Sequence, residues 1–273
     1  MRKINKDYSD IPISLIPAYA DLFHGGSIHA SARNTHTARL EIINNGSYID
    51  RDKYNNCYKY KDIKDKLSSL YHNKCAFCEQ RIEQYHVEHY RPKNGNGAYY
   101  WLAFSWDNLL LACPKCNTSK GSDFQLSGIK AIFNNTERGL KNINTLSSDY
   151  DIIEQPKMVN PEVTDPSGFI LFHRDGSVQS NNIRFSYTID KCKLDRAYLK
   201  DERRKIFDEF EKKLKSKILK FAHDQNLIKS HISELISEYI SEAENLDNEY
   251  IAFRKYSIQN GWLNTALKSL LAH

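Results

Sequence analysis

No stretch of this chain approaches the roughly 20 consecutive apolar residues that cross a bilayer. The opening MRKINKDYSD also lacks the apolar segment of a secretory signal. Both absences lead us to expect a cytoplasmic protein with no membrane partner. Internal repeats and low-complexity tracts are missing as well. Neither sign of charge dominates. The 39 Lys and Arg against 34 Asp and Glu leave +5, which permits a polyanionic partner without demanding one. A hydrophobic fraction of 40% and a charged fraction of 27% exclude a disordered chain. The 273 residues suffice for one large domain, or for a small catalytic module wrapped by helical segments.

What the chain does hold is six cysteines, four of them in two Cys-x-x-Cys pairs. In a reducing compartment such pairs point to metal rather than to disulfides. Cys57 and Cys192 lack this spacing and read as ordinary buried thiols. His24, His29 and His36 have no cysteine or carboxylate spaced beside them and read as surface or loop histidines.

Pro12 and Pro17 make the first 20 residues an extended or turn-like lead-in, and no clean period follows up to Asp50. Ile63, Leu67 and Leu70 predict an amphipathic helix over 62–71. Residues 85–90 read as a strand, and Asn94-Gly95-Asn96-Gly97 as a turn. A helix is expected from Asn117 onward. Residues 124–190 look irregular, with a hairpin turning at Asp175-Gly176. Three apolar stripes then mark helices: Phe207 to Phe221, Ile232 to Ala243, and Trp262 to Leu270.

The chemistry concentrates between Cys75 and Gly121. Cys75/Cys78 and Cys113/Cys116 are two knuckles, each able to place two thiolates on one ion, and together they complete a closed four-cysteine zinc site. Thirty-four residues separate Cys78 from Cys113, longer than the spacer of a zinc finger. Glu88 and His89 are neighbours on a predicted strand, so their side chains leave opposite faces. A carboxylate can hold a divalent ion there while an imidazole deprotonates water. Asn108 offers an amide to orient the imidazole, and Asn117 an oxygen for the ion. Arg91 and Lys120 are placed to contact a phosphate, with His86 as a further contact.

Glu88-His89-Tyr90-Arg91-Pro92, Trp106-Asp107-Asn108-Leu109-Leu110 and Cys113-Pro114-Lys115-Cys116-Asn117-Thr118-Ser119-Lys120-Gly121 together resemble the HNH, or ββα-metal, endonuclease motif. The resemblance implies that His89 is the general base, that Asn108 orients it, and that Glu88 binds the catalytic ion. The family's last His, a metal ligand, is Asn117 here, an H-N-N variant. Amide oxygen is a harder ligand than imidazole, which favours Mg²⁺ or Mn²⁺ at that site. Products with a 5′ phosphate and a 3′ hydroxyl are implied too.

Cys75-Ala76-Phe77-Cys78-Glu79-Gln80, the run from His86 to Lys93, and the later Asn160-Pro161 and Asp165-Pro166 narrow the likeness to the HNH subunit of Septu-type anti-phage systems, including those linked to retrons. That likeness implies an ABC-like ATPase as partner, and in the retron-linked case a reverse transcriptase and its msDNA. The fold class expected is α+β and mostly helical, with a zinc-stapled ββα-metal core between helical segments. The division expected is a lead-in over 1–72, the nuclease core over 73–123, an irregular region with a hairpin over 124–193, and a helical, partner-docking region over 194–273. The function expected is a metal-dependent endonuclease, acting on DNA. The alternatives are a tRNA nuclease and a non-catalytic zinc module that binds nucleic acid or protein.

Overall fold

The computed structural model of the chain describes residues 1–16 and 35–271. The expectations for Pro17, His24 and His29 lie outside the described residues. The first long element, α1 (Thr35–Asn45), falls where the sequence offered no period. Its inward face includes Arg39, whose charge hides the apolar stripe of Ala38, Ile42 and Ile43. The Arg39 guanidinium is buried, and Nη2 donates to Phe104 O at 2.8 Å and Leu15 O at 3.2 Å. His36 is therefore half-buried on this helix and not in a loop.

Helix α2 (Lys61–Tyr71) buries Ile63, Leu67 and Tyr71, as its spacing requires, and ends in a left-handed His72. The first knuckle follows. Its Ala76 N–H donates to Leu111 O at 2.8 Å, which stitches the knuckle to strand β2 (Leu109–Ala112). Strand β1 (His86–His89) pairs antiparallel with β2 in the register His86 to Ala112 and His89 to Leu109. Helix α3 (Pro114–Lys120) closes the module. It starts three residues before the Asn117 expected from sequence, because Pro114 takes the first helical position and Cys113 caps it.

Within 124–193, the hairpin of β3 (Leu171–Phe172) and β4 (Val178–Gln179) turns at Gly176, φ +81°. The irregular reading misses α4 (Ile183–Lys191), a helix of only nine residues whose N-cap Asn182 accepts from Arg184 N–H and Phe185 N–H. The three stripes form α5 (Ala197–Lys220), α6 (Gln225–Glu244) and α8 (Trp262–Leu271), joined by α7 (Ile251–Gln259). Phe207, Phe210, Tyr239, Phe253 and Trp262 interlock edge to face, so the stripes close on one another. One hydrophobic cluster runs from Met1 through the knuckles to Ala266, and a smaller one gathers Tyr99, Trp101, Leu102 and Tyr150. Among the described residues, no helix is long and apolar enough to cross a membrane.

Candidate functional site

Cys75, Cys78, Cys113 and Cys116 are all buried, with sulfurs within 4.8 Å of one another and Cys78 Sγ 3.9 Å from Cys113 Sγ. Four thiolates at about 2.3 Å from a zinc ion sit about 3.8 Å apart, so the residues present fit a tetrahedral Zn²⁺. Four thiolates on a dication leave net negative charge, and a residue from outside the module meets it. Arg196, capping α5, brings its guanidinium to 3.5 Å from Cys116 Sγ, 3.9 Å from Cys78 Sγ and 4.0 Å from Cys113 Sγ.

The strand alternation places Glu88 and His89 on opposite sides of β1. His89 is buried against Tyr58, whose ring stands edge-on at 4.6 Å between centroids. Its Nε2 lies 2.9 Å from Ala103 O. A carbonyl only accepts, so Nε2 carries the proton and the lone pair is left on Nδ1. Burial, reinforced by the nearby Lys93 ammonium, pulls the imidazole pKa down to about 3. The ring is neutral at physiological pH, as a proton acceptor must be.

Asn108 does not make the bond to His89 expected of it. Its Oδ1 accepts from Arg91 N–H at 2.8 Å, and its Nδ2 donates to Arg91 O at 3.0 Å and Leu102 O at 3.2 Å. The amide is spent on two main-chain segments, and orientation of the imidazole falls to Ala103. Since Leu102 precedes Ala103, Asn108 holds the peptide next to the carbonyl that meets His89.

Arg91 and Lys120 also depart from expectation. Both are fully buried and neither faces a polymer. Arg91 donates to Glu154 Oε2 at 2.8 Å, Asp151 Oδ1 at 2.7 Å and Ser147 Oγ at 2.8 Å, fastening the short helices Leu146–Asp149 and Asp151–Glu154 to the strand. A buried guanidinium requires such partners, and the two carboxylates claim it. Lys120 Nζ sits 2.6 Å from Glu88 Oε1 and 2.9 Å from His89 O. It is the counter-ion of Glu88, whose pKa burial raises and Lys120 pulls back.

Asn117, one turn before Lys120, shares the Glu88 side of the module. Its Nδ2 lies 2.7 Å from Nδ1 of the exposed His86. The Glu88 carboxylate and the Asn117 amide thus supply hard oxygen donors on one side, the donor type that Mg²⁺ or Mn²⁺ takes. Sequence reasoning missed Tyr58, Ala103, Lys59, Lys93 and Arg196. Only Lys93 carried a signal, four residues after His89 in the same run.

Residues 75–123 match the HNH endonuclease family. The chain is 29% identical over 220 residues to Septu protein PtuB of Bacillus mycoides strain KBAB4, covering 70% of this chain and 71% of that one. Septu protein PtuA of the same strain is 25% identical over 166 residues, 56% of this chain but 22% of that protein. A Vibrio cholerae protein named as the candidate HNH endonuclease of retron Vc95 is 32% identical over 59 residues, 21% of this chain and 29% of that one. Residues 75–123 are thus an HNH endonuclease domain, set in a chain similar along most of its length to Septu protein PtuB.

Proposed function

We propose that this nuclease is a metal-dependent endonuclease that cleaves DNA as the effector of an ATPase-coupled anti-phage defence system. The observation that carries the chemistry is the neutral His89, proton-bearing at Nε2 against Ala103 O, with no partner for its Nδ1 lone pair among the described residues. In this reading Nδ1 takes the proton of a water as its oxygen forms a bond to the phosphodiester phosphorus. The bond to the 3′ oxygen breaks, and that oxygen leaves as an alkoxide that takes a proton from solvent water to become the 3′ hydroxyl. Glu88 and Asn117 would hold a Mg²⁺ or Mn²⁺, which when bound supplies neutralisation of the charge developing on the phosphate. The four cysteines would hold Zn²⁺ and keep both strands and α3 in register without entering the reaction. Similarity to the Septu proteins and to the retron protein supports the defence role; an ATPase partner and, in a retron setting, a reverse transcriptase with its msDNA are part of this reading.

The test is cleavage of plasmid DNA and of total tRNA with Mn²⁺, wild type beside His89→Ala, with and without the ATPase. Cleavage of DNA that disappears in the variant is the expected result. Cleavage of tRNA alone would change the polymer. No cleavage of either, with zinc bound and the ATPase present, would leave a binding module.

A further inference from the structure

Two basic residues of the motif, Arg91 and Lys120, are consumed in buried ion pairs. A nuclease still needs cations that face its polyanion, because neutralised phosphates supply most sequence-independent grip. The cations beside the catalytic imidazole come from elsewhere. Lys59 ends the short helical turn Cys57–Lys59, and Lys93 follows strand β1. Each ammonium stands 5.4 Å from the centroid of the Tyr58 ring, the ring that meets His89. Lys93 Nζ is also 3.6 Å from the Tyr48 centroid and 3.4 Å from Asn55 Oδ1.

Neither lysine makes an ion pair among the described residues, whereas the neighbouring Lys53 and Lys61 are paired with Glu41 and Asp65. Aromatic faces hold an ammonium in place without cancelling its charge, as a carboxylate would. Lys59 is exposed and Lys93 half-buried. Burial lowers the Lys93 pKa to about 8, with Asp50 raising it and Lys59 lowering it, so an arriving anion would stabilise the charged form.

We propose that Lys59 and Lys93, set on the Tyr48 and Tyr58 rings, form the site that grips the phosphodiester backbone beside the bond His89 attacks. The site rests on the nuclease reading and adds the N-terminal segment around residues 48–59 to the substrate-binding surface. Sequence does not reveal it, since the two lysines lie far apart in the chain.

The experiment measures binding of a fluorescein-labelled DNA duplex by anisotropy at several salt concentrations, in full-length His89→Ala protein so that nothing is cut. Lys59→Gln and Lys93→Gln are each expected to flatten the slope of log affinity against log salt by about 0.9, and the pair by about 1.8. Lys93→Arg, which keeps the charge, should restore the parent slope. A misfolded Lys93→Gln would not mimic this, because exposed Lys59→Gln must give the same increment on an intact fold. Unchanged slopes in both Gln variants, while the wild type cleaves, overturn the phosphate site and leave the nuclease standing. A parent that does not bind the duplex, beside a wild type that cleaves neither DNA nor tRNA, overturns both.

Discussion

Burial assigns the roles of individual side chains here more firmly than residue type does. Arg91, Lys120 and Asn108 are chemically suited to a phosphate or an imidazole, yet each is enclosed and must satisfy its own polar atoms first. His89→Ala should lower cleavage about 10²–10⁴-fold, the range for a lost general base, with zinc content unchanged. Asp107 shows what enclosure does to stability. Burial raises its pKa to about 6, against the hydrogen bonds from Ser105 and Ser148 and the charge of Lys6. The folded state then binds the extra proton between pH 4 and 6. Its stabilising contribution is fully present below the unfolded pKa and is lost as pH rises through the folded one. Asp107→Asn should remove up to about 3 kcal/mol of that slope, read as unfolding free energy against pH beside the wild type. The four-cysteine cluster and the placement of Glu88 and His89 side by side on β1 were legible because their spacing is their signal. The partners of Arg91 were not, since Asp151 and Glu154 lie some sixty residues away and no local pattern links them.

At the level of elements, β1, the β3–β4 hairpin, the knuckles and α2 could be read from local pattern, while α1 and α4 could not. An inward Arg39 broke the period of α1, and α4 is too short for its stripe to stand out. The β3–β4 hairpin depends on one backbone conformation. Gly176 has φ +81°, and a Cβ there would meet Lys200 O at 2.0 Å, on the first turn of α5. Its carbonyl also accepts from the buried Arg203 at 2.8 Å. Gly176→Ala should cost about 1–3 kcal/mol or more, seen as a lower denaturation midpoint, and an unchanged midpoint would remove the hairpin from the contacts that fix α5. Arg196→Ala should speed transfer of zinc to a chromogenic chelator, because the thiolates lose a guanidinium that meets three of them.

At the scale of the whole molecule, polar contacts join the four-cysteine module to the C-terminal helices. The Lys74 ammonium, beside the first knuckle, donates to Leu246 O and Asn248 O. Glu79 accepts from Ala252 N–H at 3.1 Å, and Arg81 Nη2 donates to Asp247 O at 2.7 Å. Those contacts tie the first knuckle to the loop between α6 and α7 and to the start of α7. Stripping zinc should therefore expose residues 245–250 to protease before the outer turns of α5 lose helicity. Protease resistance unchanged after complete zinc removal would show the helices holding that loop unaided.

The bond that orients His89 comes from a main-chain carbonyl. No side-chain substitution at position 103 deletes it, so a scan that truncates residues one at a time would pass over the carbonyl that meets the imidazole. Its influence would surface instead at Asn108, whose removal frees Leu102 and so the carbonyl next to it. A loss of activity at Asn108 would then look like a catalytic contact while reporting the position of a peptide plane.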